Sequence, residues 1–334
     1  MSGAPLALTM GEPAGIGGEL ALKAWQTLCH DGPVFFLIDD PDRVRALAVS
    51  LALDVPVSAI SKPSKAAAGF AAALPVLAIG EPVSAIPGKP AATTARTVES
   101  SIRQAVSLTM AGDASAVITN PIQKSVLADA GFAFPGHTEF LGALAGPDTQ
   151  TVMMLVGGGL RVVPVTIHVP LADVAQQLTC DLIESTAIVA AEALQRDFGI
   201  ASPRLALAGL NPHAGEDGLL GKEEQTVITP AIQRLRARGF DATGPIPADA
   251  MFHAAARQSY DAAICMYHDQ ALIPLKTLAF DEGVNTTLGL PFVRTSPDHG
   301  TALDIAGKGI AKPDSLIAAL KLADHMARQR RGHA

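Results

Sequence analysis

Short apolar runs alternate along the chain with longer amphipathic stretches. Runs of strand type cover residues 5–10, 34–38, 76–79, 114–119, 151–156, 161–167, 204–210 and 262–267. Helix-type periodicity covers 18–29, 41–51, 94–111, 122–130, 182–198, 223–238, 248–259 and 315–330, the last starting at an Asp314 cap after Pro313. Strands buried on both faces, separated by helices, predict an α/β fold with mainly parallel sheets. One exception is expected. The runs 151–156 and 161–167 are joined by Gly157, Gly158 and Gly159, a hairpin signature. The proline-rich stretch 81–91 reads as a loop, and no internal repeat or low-complexity linker is present.

Composition narrows the class. The 334 residues suggest about two domains. Hydrophobic residues make up 49% and charged residues 17%, which excludes a disordered chain. The net charge of −7, with no basic stripe, argues against a nucleic-acid partner. Arg328, Arg330 and Arg331 read as a solvated helix end. No apolar stretch reaches the ~18 residues of a membrane span, so no membrane association is expected. The first residues carry no basic segment ahead of an apolar run, so a cytoplasmic protein is expected. Cys29, Cys180 and Cys265 form no pair motif and read as free thiols.

Three histidines share one context. His168, His213 and His268 each follow a strand of buried type near its C-terminal end, where α/β proteins bind ligands. Their spacings of 45 and 55 residues exclude a local finger-type site. Taken singly, each is better explained by a core or surface role. Three in matching positions point to a catalytic metal with an open coordination position. Asp249 and Asp269 are candidate bases or supports for that site.

His137 and Thr138, in Phe134-Pro-Gly-His-Thr-Glu139, stand where a loop enters a helix. Thr138 reads first as a helix cap and second as a ligand contact. Lys276, Asn285 and Arg294 lie in a segment rich in turn residues and suit a phosphate or carboxylate, with ordinary surface charge as the alternative. The loop Gly11-Glu-Pro-Ala-Gly-Ile-Gly-Gly18 fails both dinucleotide and Walker patterns and reads as structural. The stretch Asp298-His-Gly-Thr-Ala-Leu-Asp304 is similar to the adenosine-binding loop of the isocitrate and isopropylmalate dehydrogenases, which bind NAD(P) without a Rossmann fingerprint.

Together these motifs resemble the PdxA family of 4-hydroxythreonine-4-phosphate dehydrogenases. The resemblance runs through Gly11–Gly17, Thr119-Asn-Pro-Ile122, Pro135–Phe140, Gly209–Glu216, Met266-Tyr-His-Asp-Gln270, Gly283-Val-Asn285, Leu288–Thr295 and Asp298–Leu303. It implies two α/β/α domains with a cleft between them, as in the isocitrate and isopropylmalate dehydrogenases. The first would comprise 1–140 plus 288–334, and the second 141–287. It implies zinc, magnesium or cobalt on His168, His213 and His268, with one ligand supplied by the partner of a homodimer. It assigns substrate binding to His137, Thr138, Lys276, Asn285 and Arg294, and the nicotinamide cofactor, NAD or NADP, to His299, Gly300, Thr301 and Asp304. The substrate would be 4-phosphooxy-L-threonine, a small phosphorylated amino acid. Gln123 replaces a histidine common in the family, and Asp217 and Leu219 occupy a variable loop. Sister dehydrogenases acting on phospho-D-threonate, phospho-D-erythronate or a cyclic diol are the near alternative. A metal-dependent hydrolase or binding protein is the distant one.

Overall fold

The structure is a computed structural model that describes residues 3–147 and 149–332. The chain divides into two compact units that exchange at 151/152 and 289/290, so the C-terminal Leu290–Gly332 returns to the first.

In the first unit the strands are β1 (Leu6–Thr9), β2 (Phe35–Asp39), β3 (Val57–Ile60), β4 (Leu74–Ala78), β5 (Val117–Ile118) and, after the chain has left and come back, β12 (Arg294–Pro297). Their order is β3-β4-β2-β1-β5-β12, with every pairing parallel. Every residue of β1 and β2 is buried, as expected of parallel strands covered by helices. The helix Ala95–Met110 lays Val98, Ile102, Ala105 and Val106 into a core shared with Ala7, Phe36 and Val117.

The second unit contains β6 (Val152–Gly157), β7 (Leu160–Pro164), β8 (Arg204–Ala208), β9 (Asp241–Ile246), β10 (Ala262–Cys265) and β11 (Val284–Leu288), in the order β11-β6-β7-β10-β8-β9. β6 and β7 form the expected hairpin. Gly157 pairs with Leu160, leaving Gly158 and Gly159 at φ +56° and +73° as a two-residue turn. Positive φ at both central residues is what a type I′ turn requires. β7, β10, β8 and β9 run parallel, whereas β11 is antiparallel to β6.

Four strands escape the hydrophobic pattern. β12, Arg-Thr-Ser-Pro, is entirely polar or proline and entirely buried, and β11 buries Thr286 and Thr287. β3 and β9 are half-exposed end strands of their series. The helix His268–Ala279 was hidden by Pro274 inside it. The expected helix 248–259 shortens to Ala248–Met251 and a one-turn segment Ala256–Gln258, because Ala254 and Ala255 face solvent. Without an apolar face against a core, helical propensity does not hold a helix. No helix among the described residues is long and apolar enough to cross a membrane.

Candidate active site

In the second unit the three histidines follow neighbouring strands. β7, β10 and β8 are adjacent and parallel, so the segments carrying His168, His268 and His213 leave the sheet at one edge. Asp249 follows β9, next in the same series, and is exposed.

The strand ends are tied together by side chains. Thr166 Oγ1 donates to the carbonyl of Met266 (2.8 Å), linking β7 to β10. Gln270, buried, accepts from the Met266 amide (2.7 Å) and donates to the Gly209 carbonyl (2.7 Å), linking β10 to β8. The one signal of Gln270 in the sequence is its place in Met266-Tyr-His-Asp-Gln270.

The rings of His168 and His268 stand 5.9 Å apart between centroids. His268 Nδ1 meets Asp269 Oδ1 at 2.7 Å, a contact that fixes the ring and leaves Nε2 for a ligand. These residues line one hollow with Val169, Leu171 and Tyr267. Lys276 lies on the same helix as His268, and both border a second depression with Ile273 and Phe280. Lys276 Nζ sits 5.7 Å from the Phe280 ring centre.

His213 lies in an unusual turn. Residues His213, Ala214, Gly215, Glu216 and Asp217 all have φ between +43° and +79°. Left-handed backbone costs non-glycine residues roughly 1–2 kcal/mol each, and such strain persists only where surroundings enforce it. Here the buried Glu224 carboxylate accepts from the amides of Leu210 (2.8 Å) and Asn211 (2.7 Å) and from Asn211 Nδ2 (3.0 Å). Nothing in the sequence marked Glu224 for this role.

Imidazoles suit zinc among other first-row divalent metals, so the donor chemistry at this edge fits a divalent cation. His168 and His268 are brought together. Among the described residues, however, no three of His, Cys, Asp and Glu converge closely enough to hold a metal.

The first unit holds a separate polar group. Arg294, 4% exposed, is on β12 and bonds Thr119 Oγ1 through Nη2 (2.6 Å) and Nε (3.2 Å). Burial pushes its guanidinium down to about 10, so it stays charged at neutral pH. Lys276, Asn285 and Arg294 are therefore not a loop cluster but lie on a helix and two strands. His137 is the first residue of the helix His137–Ala145, which is N-capped by Gly136 with no side-chain bond. Thr138 is thus not the cap, and the first-turn amides lack intrahelical acceptors. His137 Nε2 is buried without a partner among the described residues. Burial first, then Arg294 and Lys124, hold this imidazole well below its ordinary value.

The stretch carrying His299, Gly300, Thr301 and Asp304 is irregular and packs on the Gly11–Gly18 loop. Ile16 N donates to Thr301 O (3.1 Å), and Thr301 Oγ1 bonds Gln123 (2.9 Å). A Cβ on Gly15 would stand 2.8 Å from Thr301 O, so this glycine permits the close approach. His299 Nδ1 contacts Gly300 O (3.0 Å), while its Nε2 is buried without a partner among the described residues. Asp304 is exposed.

Residues 32–323 match the model of a protein family described as pyridoxal phosphate biosynthetic protein PdxA. A relative from Bradyrhizobium diazoefficiens, named 4-hydroxythreonine-4-phosphate dehydrogenase, is 56% identical over 97% of each chain. The crystal structure of a protein of that name from Klebsiella pneumoniae superposes with a TM-score of 0.86 at 37% identity, covering 97% of this chain and 99% of that one. A terephthalate 1,2-cis-dihydrodiol dehydrogenase from Burkholderia xenovorans is more distant, at TM-score 0.66 and 29% identity over 96% and 98%.

Proposed function

Because this chain belongs to the PdxA family, we propose that it is a dehydrogenase of pyridoxal phosphate biosynthesis that oxidises 4-phosphooxy-L-threonine with NAD(P)⁺. The observation that carries this reading is 56% identity across 97% of both chains to a relative bearing that enzyme name. The product, 2-amino-3-oxo-4-phosphooxybutanoate, is a β-keto acid, and its loss of CO₂ gives 3-amino-2-oxopropyl phosphate. We place the enzyme in the cytoplasm as a homodimer.

The residues divide the work. His168, His213 and His268 would hold a zinc, magnesium or cobalt ion, the set completed across two subunits. When bound, that ion supplies Lewis acidity at the substrate hydroxyl, and the nicotinamide supplies a hydride acceptor. Asp269 orients His268 through the 2.7 Å contact, and either Asp269 or Asp249 takes the hydroxyl proton. Arg294, Lys276, Asn285, His137 and Thr138 bind the anionic ends of the substrate. Holding both ends fixes the reacting carbon, which removes much of the entropic barrier. His299, Gly300, Thr301 and Asp304 would bind the cofactor.

The test is NADH absorbance with purified protein, NAD⁺, a divalent cation and 4-phosphooxy-L-threonine, with and without chelator. A chelator-sensitive rise is expected. A rise only with phospho-D-threonate or phospho-D-erythronate would move the protein to a sister activity. No rise with any phosphorylated acid would overturn the reading.

A further inference from the structure

Lys124 has no part in the assignments above. It opens the helix Lys124–Asp129 after β5, and its exposed side chain reaches the start of the helix His137–Ala145. Its Cε and Nζ lie 3.3 and 3.5 Å from the point where a Cβ on Gly136 would stand. Three further features meet there. The first-turn amides have no side-chain cap. His137 Nε2 is buried without a partner among the described residues. The charges of Arg294, buried on β12, and of Lys124 both act on His137. The fourth neighbour opposes an anion. Glu139 Oε2 is 3.4 Å from the same point beside Gly136.

The charge balance decides the matter. Arg294 against Glu139 leaves the subsite formally neutral; Lys124 makes it positive. A phosphate monoester carries about −1.5 to −2 at neutral pH, so this lysine turns a balanced site into an attractive one. A lysine suits the task as a mobile point charge on a flexible stem. We propose that Lys124 is an additional binding residue for the substrate phosphate, completing with Arg294 the anion subsite at the N-terminus of the helix His137–Ala145. The assignment rests on the reading of His137 and Arg294 as phosphate contacts.

The probe is inorganic phosphate, titrated into the full-length protein and followed calorimetrically and by the His137 ring signals in NMR. Wild type is expected to bind phosphate. Lys124→Met should weaken binding roughly tenfold, the scale of one lost charge-assisted hydrogen bond, while Lys124→Arg stays within about threefold. With the phosphorylated substrate, Lys124→Met should raise KM much more than it lowers kcat. Glu139→Gln should tighten phosphate binding. Circular dichroism of each variant separates lost binding from lost folding. Phosphate binding by Lys124→Met at wild-type strength would overturn the assignment of Lys124 alone. Failure of wild type to bind phosphate, with no shift at His137, would overturn the phosphate reading of the subsite and this proposal with it.

Discussion

The rings of His168 and His268 lie with their centroids 5.9 Å apart, His168 in the segment after β7 and His268 at the start of the helix that follows the adjacent parallel strand β10. The pairing depends on β7 lying beside β10, with Pro164 in register with Cys265. Asp269 steadies the second ring through Nδ1. Removing a carboxylate that orients a histidine ligand typically costs 10–100-fold in metal affinity. Asp269→Asn should therefore weaken zinc binding by about tenfold or more, and His268→Ala should lose most of it. Calorimetric titration of the metal-free protein with zinc would check both; unchanged affinity in His268→Ala would remove this residue from the metal set.

The buried His137 makes stability sensitive to acid. Burial, aided by Arg294 and Lys124, holds His137 well below the ordinary imidazole value. The unfolded chain then takes up its proton first, near pH 6.5. Below that pH and above the folded value, the unfolded state binds more protons, so stability falls as pH falls. His137→Gln should recover about 1 kcal/mol of the stability lost between pH 7.5 and 5.5. Urea unfolding at the two pH values gives the answer, and an identical loss in both proteins would refute the linkage.

The loop after β12 is clamped at its far end. Buried Glu19 accepts from Lys23 (2.8 Å) and from the Ala311 amide (2.9 Å), and Lys23 also donates to the carbonyls of Gly309 (2.8 Å) and Ala311 (2.7 Å). Breaking a buried pair by removing one member leaves a charge uncompensated, at a cost of about 3 kcal/mol. Lys23→Met should lose about that much and should speed amide exchange around residues 309–311. Glu19→Gln, which keeps acceptor and shape, should cost less.

Two glycines at positive φ should respond differently to alanine. Gly11 (φ +67°) would place a Cβ 2.6 Å from Asn120 Cβ and 2.7 Å from Pro121 O. Gly159 (φ +73°) would place one in open space. Gly159→Ala should cost only the left-handed penalty, about 1–2 kcal/mol. Gly11→Ala should cost that and the steric clash besides, about 3 kcal/mol or more in total. Equal losses in chemical denaturation would contradict the packing at Gly11.

The sequence by itself determined what depends on local pattern. Alternation of buried-type strands and amphipathic helices specified α/β, because apolar periodicity records which face each element buries. Gly158-Gly159 specified the hairpin, because a type I′ turn needs two residues tolerant of positive φ. The position of each histidine just past a strand also lay open in the sequence, since a strand ends where its apolar run ends. Strand order did not. That β10 lies between β7 and β8, and so sets His168 beside His268, is a matter of long-range pairing that no local window contains. β11 and β12 stayed hidden for a related reason. In β12, Arg294 and Thr295 can be buried because Thr119 and the Ala319 carbonyl satisfy them. Only the assembled fold supplies those partners, and a polar residue that will be satisfied reads in sequence like one that will face water.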